Sequence, residues 1–488
     1  MKSGQKEVIV VSLKKKMAEK KPNPVSRREF IKGAGLVVGG GAVGAGITYP
    51  LVPKKEVIKE VPVVKEVTKE VIKEVIKEVP TAAVYEVLPP YGKPTMKIFG
   101  EQPETDIAFK GTFEEVLKHY REKMWSDGLP IIPPTVEKVE EFLKYTDYPA
   151  DAILTRTLLP SYRIATPWSV AVNGVMAGCR PEYMPVLIAM TKAWAEPDFR
   201  VQDVSSTTGC TTITIINGPI KNQLGINFRQ SYGHPGYQSN TSMGRFWTMY
   251  KRNLMELRIE VPTEMAAHGM NCLNLAGEDD ASCEEYGWKT LAEQQGFQAG
   301  DNVVTTMSVL CQSEAPAIIV VTGDDFLSGI CGQICEGACC QFQLFTGQYL
   351  FVIPGVVADV LARDGFDKDD MRDYLYNNAR RTARYLETRL RVNQDGYYCQ
   401  QVKDDKLPQM FCESEDPNRL VPIFIDPEKI FFIVDGDEAR NRIECFMSNG
   451  GIGPMTSMKI ELPENWDELY WDSQSRIDLM MKYGREFL

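Results

Sequence analysis

Four short runs constrain this chain more than any other feature. Residues 212–216, 317–321, 350–353 and 429–434 are β-branched or aromatic and apolar nearly throughout. Runs of that length without polar alternation read as strands buried on both faces. Helical segments lie between them, notably 356–363, closed by Asp364-Gly365, and 369–390, with Asp367 placed as its N-cap. The alternation predicts an α/β fold, a predominantly parallel sheet covered by helices on its two sides. Ligands of such sheets gather beyond the carboxyl ends of the strands.

Candidate site residues lie just past those ends. Asn217-Gly218-Pro219 follows the first run, Thr322-Gly323-Asp324-Asp325 the second and Asp435-Gly436-Asp437-Glu438 the last. Paired carboxylates serve as acid and base or bind a hard cation, and the same residues are ordinary turn and helix-capping types. Of three histidines, His119 sits on a charged helix face and His268 in no recognisable motif. His234, in Tyr232-Gly233-His234-Pro235-Gly236, is the best candidate for a base or ligand.

The stretch Gly329-Ile330-Cys331-Gly332-Gln333-Ile334-Cys335-Glu336-Gly337-Ala338-Cys339-Cys340 places four thiols in ten residues. If it is helical, Cys331, Cys335 and Cys339 form one stripe with Cys340 beside it. Thiolates gathered so suit a metal ion, an iron–sulfur cluster or a dithiol redox centre. The spacing fits neither a zinc knuckle nor a ferredoxin run, and small-residue packing with buried structural thiols explains it equally well. Cys210, after Thr207-Thr208-Gly209, is a further candidate site thiol.

Charge is unevenly placed. Residues 1–80 hold 17 Lys and Arg against 9 Asp and Glu, a net of +8, so the remainder carries −19 of the chain's overall −11. A basic nucleic-acid face on the main body is therefore not expected. The positive end has its own explanation. Ser26-Arg27-Arg28-Glu29-Phe30-Ile31-Lys32, with lysines upstream and a glycine-rich, mildly apolar run at 33–52 downstream, resembles a twin-arginine export signal. The resemblance implies recognition by the twin-arginine translocation machinery and a periplasmic or cell-surface location. With no A-x-A cleavage site after it, the 33–52 segment is long enough to remain as a membrane anchor.

Residues 53–94 form a low-complexity linker. Lys65-Glu66-Val67, Lys69-Glu70-Val71, Lys73-Glu74-Val75 and Lys77-Glu78-Val79 recur every four residues. A period of four sets Glu beside Lys at helical distances, which fits a stalk, self-associating or solvated, of about 40 Å if fully helical. The body, 112–488, with room for two subdomains, opens with helical periodicity at 113–124 and 136–145 around a proline-rich loop. Residues 171–195 then read as two helical pieces broken at 178–181.

Several runs of this body resemble a bacterial family labelled UGSC-like. They are Asp127-Gly128-Leu129-Pro130, the 171–185 run, Asn217-Gly218-Pro219-Ile220 with Leu224-Gly225-Ile226-Asn227, Asn240-Thr241-Ser242-Met243-Gly244-Arg245, and 362–372 with Tyr374-Leu375. The resemblance spans about 112–460 in unbroken order and implies the fold, not a reaction. Relatives carry a histidine where this chain has Gly355-Val356-Val357-Ala358 and another near 290–295, so no shared histidine chemistry carries over. Asn217, Gly218, Asn240 and Arg245, in family-like segments, are candidates for holding a cofactor.

These readings converge on an exported, membrane-tethered redox enzyme using Cys331, Cys335, Cys339 and Cys340 as metal ligands or as a dithiol, with Cys210 and His234 as partners. Two alternatives stay open. One is a hydrolase or lyase working through Asp324, Asp325 and His234; the other is a stalked envelope binding protein, monomeric or homo-oligomeric, whose cysteines are structural.

Overall fold

The computed structural model describes residues 83–91, 107–203, 211–261, 275–316, 322–336, 347–389, 396–448 and 453–484. The twin-arginine motif, the 33–52 segment, the Lys-Glu-Val repeats, the 317–321 run, Cys210, Cys339 and Cys340 lie outside the described residues. Residues from Pro80 onward belong to one unit.

An antiparallel pair, β1 (Val84–Val87) and β2 (Phe109–Thr112), leads into α1 (Phe113–Glu122) and α2 (Val136–Leu143). Helices α3 (Pro167–Ala177) and α4 (Met184–Trp194) follow. They are separated where sequence predicts, because Gly178 takes a left-handed φ of 86° and Pro181 starts a new turn. Then come β3 (Thr211–Asn217), the single turn α5 (Ile220–Gln223), α6 (Gln238–Asn253), β4 (Leu275–Gly277), α7 (Asp280–Tyr286), α8 (Leu291–Gln294), β5 (Val303–Val309) and β6 (Cys311–Pro316). The second half holds α9 (Gly323–Glu336), β7 (Tyr349–Ile353), α10 (Gly355–Arg363), α11 (Lys368–Asn378), β8 (Arg380–Thr382), α12 (Ala383–Arg389) and α13 (Tyr397–Lys403). It closes with β9 (Leu420–Pro422), β10 (Ile430–Val434), β11 (Arg442–Met447), β12 (Thr456–Lys459) and α14 (Trp466–Gly484).

The strands build two four-stranded sheets, ordered β12-β5-β3-β4 and β10-β7-β11-β6. Both are mixed, which corrects the expectation of a predominantly parallel sheet. β3 runs parallel to β4 and β10 parallel to β7, but β5 lies antiparallel between β12 and β3, and β11 antiparallel between β7 and β6. The continuous apolar runs report burial on two faces, and here the second cover of each sheet is the other sheet. Ile213, Ile215, Met307 and Val309 of one pack with Leu350, Val352, Ile433 and Phe446 of the other. The opposite faces take helices. Trp194, Phe246 and Tyr250 cover Ile216 and Val304, while Leu327, Leu361 and Met371 cover Phe351 and Phe432. The result is four layers, helix, sheet, sheet, helix, in which a fully buried side chain such as Ile433 contributes roughly 1.5–3 kcal/mol.

The helix expected over 369–390 is two helices. Asn377 and Asn378 turn their side-chain amides back to the carbonyls of Asp373 and Tyr374, both at 2.8 Å, and Arg380–Thr382 leaves the helix to pair with β9. Asp367 caps α11 as expected, accepting from the Asp370 N–H at 2.8 Å. Among the described residues, no helix is long and apolar enough to cross a membrane.

Candidate functional site

Strand alternation decides what stands at the ends of the two sheets. Residues 431 and 433 of β10 face the opposite sheet, so the next in phase is Asp435. In β11, Phe446 faces the same way and puts Glu444 on that side. Polar groups thus take the positions where the apolar layer between the sheets runs out. A cleft of about 760 Å³ opens there, lined by the 231–234 loop, by Gln312 and Glu314 of β6, by Pro354 and 435–437 after β7 and β10, and by Arg440, Arg442, Glu444 and Phe446.

Asp435 is 2 % exposed. Its Oδ1 accepts from the Gly436 N–H at 2.5 Å, while Oδ2 is buried with no hydrogen-bond partner. Burial pushes this carboxyl well above the usual carboxylate range, outweighing the Gly436 bond, and the charges of Glu278, Asp279 and Glu444 push the same way. Both effects favour the protonated form of Asp435. Gly436 follows at φ 103°, a left-handed conformation that lets the chain turn under the Tyr232 ring.

Tyr232 packs against the inter-sheet core and donates its hydroxyl to Glu444 Oε2, and the Gln312 amide donates to Oε1. A carboxyl that accepts at both oxygens is arranged as a carboxylate. Burial, then the charge of Glu444, raise Tyr232 well above its ordinary value, so it stays a donor. Ser231, beside it, holds φ 64°, strained backbone at the rim of the cleft. The loop is pinned to the far sheet by a bridge from Arg229 to Gly436 and a 2.5 Å ion pair from Arg229 to Glu438. His234 is exposed on the same rim.

A second cluster lies at the ends of β3 and β4. Glu278, fully buried, accepts from Lys368 Nζ at 2.6 Å, Asn217 Nδ2 at 2.7 Å and the Leu291 N–H at 2.6 Å. Asp280 accepts from Asn217 Nδ2 and the Gly218 N–H, both at 2.7 Å, and from Lys221 Nζ at 2.5 Å. Burial works against the Lys368 ammonium, but Glu278 and Cys283 outweigh it and hold Lys368 above its ordinary range. Burial, and then Glu278, push the Cys283 thiol up. An Asp279 N–H to Val434 carbonyl bond of 2.8 Å links this cluster to the β10 end.

The residues singled out from sequence are scattered. His234 lines the cleft; Asp324 and Asp325 do not. Those two begin α9, where Asp325 accepts from the Thr322 hydroxyl at 2.7 Å and both side chains are exposed. Asn217 and Gly218 belong to the Glu278 cluster, and a Cβ at Gly218 would come within 2.5 Å of the Asp301 carbonyl. Asn240 clamps the Asn227 backbone and the Leu275 carbonyl, at 2.8 to 2.9 Å. Arg245 holds Asp127 through two bonds of 2.8 and 2.7 Å. Asn240 and Arg245 thus fasten loops onto α6. His119 is half-buried rather than on an open face, stacked on Phe109 at 4.4 Å.

Of the cysteine quartet, Cys331 and Cys335 stand one turn apart on α9 and pack in the core under the second sheet. Burial, with Cys335 adding to it, pushes the Cys331 thiol up to about 12, and Cys335 Sγ donates to the Arg380 carbonyl at 3.3 Å. Among the described residues, no group of three or more His, Cys, Asp or Glu side chains is placed to hold a metal ion. A disulfide joins Cys399 to Cys412.

The sequence marks Asp435 as a strand-end carboxylate but does not mark Glu444 or Tyr232. The available signal was a lone Glu inside the apolar strand Arg442-Ile443-Glu444-Cys445-Phe446-Met447. Comparison with protein-family models and with curated proteins gives no match in either case.

Proposed function

We propose that this chain is an exported enzyme that performs acid–base chemistry without a redox step, a hydrolase or lyase, in the cleft between the second sheet and the 231–234 loop. One observation carries the reading: Asp435 is buried where the cleft meets the strand ends, with no hydrogen-bond partner at Oδ2, and burial favours its protonated form. A carboxylic acid held so donates a proton, or a hydrogen bond, to an oxygen that gains charge in the transition state. His234, exposed on the rim of the same cleft, is the base. Tyr232 and Gln312 fix Glu444 in place. Export is supported by Arg27-Arg28 and by the Cys399–Cys412 disulfide, which suits an oxidising compartment. The UGSC-like relationship of the body, the 33–52 anchor and passage through the twin-arginine machinery belong to the same proposal.

A redox centre at Cys331 and Cys335 is the weaker reading, since burial keeps Cys331 a thiol and thiolates are the reactive form. The test is turnover of a panel of amides, esters and hydroxy acids by full-length protein, with and without an electron acceptor. Asp435→Asn is expected to lower turnover by about 10²-fold and His234→Gln by a similar factor, with Cys331→Ala unaffected. Turnover that requires an electron acceptor, fails in Cys331→Ala and survives Asp435→Asn would overturn the reading.

A further inference from the structure

The charges around the cleft are unevenly matched. Arg442 is held by Glu314 at 2.5 Å, and Arg440 is held by Asp437. Among the described residues Glu444 has only neutral partners, the Tyr232 hydroxyl and the Gln312 amide. It also sits directly across the ladder from Glu314 in the β11–β6 register, so two carboxylates face one another where like charges repel. An anionic ligand would meet both carboxylates and would gain a guanidinium only by breaking an existing ion pair. A cation meets an uncompensated carboxylate at once.

We propose that the cleft takes a small ligand bearing a protonated amine, with Glu444 as its counter-ion. This rests on the acid–base reading of the same cleft and names its substrate class. The second contact is Asp435, a residue of the cleft lining whose Oδ2 has no hydrogen-bond partner and whose carboxyl would meet an uncharged oxygen elsewhere on the ligand. A ligand with an ammonium at one end and a carbonyl nearby satisfies both carboxyl groups, while Arg440 and Arg442 stay paired with Asp437 and Glu314. The net charge of −19 beyond residue 80 draws in a cation from solution.

Three probes of similar size separate the possibilities: glycinamide, its neutral isostere glycolamide, and malonate, titrated into the full chain at neutral pH by ligand-observed NMR. Glycinamide is expected to bind roughly tenfold more tightly than glycolamide, with malonate weakest, as a charge-assisted hydrogen bond requires. Glu444→Gln is expected to remove that preference while leaving glycolamide unchanged, and added salt to weaken glycinamide alone. Glycolamide or malonate binding as well as glycinamide, no probe binding at all, or a preference that survives Glu444→Gln would each overturn the proposal. Should Glu444→Gln fail to fold, the ranking of the three probes on the unaltered protein decides. Failure here with turnover still lost in Asp435→Asn would remove the amine and keep the acid–base reading; turnover indifferent to Asp435→Asn would remove the latter.

Discussion

The ends of the two sheets carry buried or half-buried carboxyls in opposite condition. At β3 and β4, Glu278 and Asp280 each have a lysine, Lys368 at 2.6 Å and Lys221 at 2.5 Å, plus amide donors. At β10, Asp435 has, among the described residues, one backbone donor, an Oδ2 without a partner and no cation. Burial alone therefore does not mark a functional carboxyl. A charge buried with its counter-ion holds layers together, whereas a carboxyl buried without one is pushed into its neutral form and kept available as a donor.

The sharpest way to break this contrast is to strip the counter-ion from the first cluster. Lys368→Met leaves Glu278 charged in the core and is expected to cost about 3–5 kcal/mol in denaturant unfolding. Asp435→Asn should leave stability unchanged within about 1 kcal/mol or raise it, since it removes a buried acid whose Oδ2 bonds to nothing. Equal losses in the two variants would erase the distinction. In turnover the order inverts: the Asp435→Asn loss of about 10²-fold corresponds to roughly 2.7 kcal/mol of barrier.

The two clusters also separate by pH. Asp435 has a folded value raised above the unfolded one near 3.9, so its contribution is fully present below about pH 4 and is lost as pH rises toward the folded value, by up to about 1.4 kcal/mol per pH unit. Relative to Asp435→Asn, the unaltered protein should therefore lose stability as pH climbs from 4. Lys368 has the same sign in a higher window: its contribution holds through neutral pH and is lost above about pH 10.4. Stability curves of Asp435→Asn and the unaltered protein that stay parallel from pH 4 to 8 would contradict the assignment. The smallest effect is expected on α9, where Cys335→Ala should cost about 1 kcal/mol or less and leave turnover intact.

Much of the fold was legible from residues. The break at Gly178–Pro181, the Asp367 cap and three of the four apolar runs read correctly because turn chemistry and hydrophobic runs act locally. The fourth run, 317–321, lies outside the described residues. Strand direction was not legible, because a run buried on both faces looks the same whether a helix or a second sheet covers it. Of the site, Asp435 and His234 could be reached from strand ends and composition. Glu444 and Tyr232, 212 residues apart, are joined only by the packing of the two sheets. Asn240 and Arg245 stood out in sequence and turn out to clamp loops, a role that a motif does not distinguish from binding.

The central claim is the proton on Asp435, and infrared spectroscopy tests it most directly. At neutral pH the account predicts a protonated-carboxyl C=O band in the unaltered protein that disappears in Asp435→Asn and persists in Asp437→Asn. Identical spectra for the unaltered protein and Asp435→Asn in that region would mean that Asp435 is ionised, and the acid assigned to the cleft would be gone.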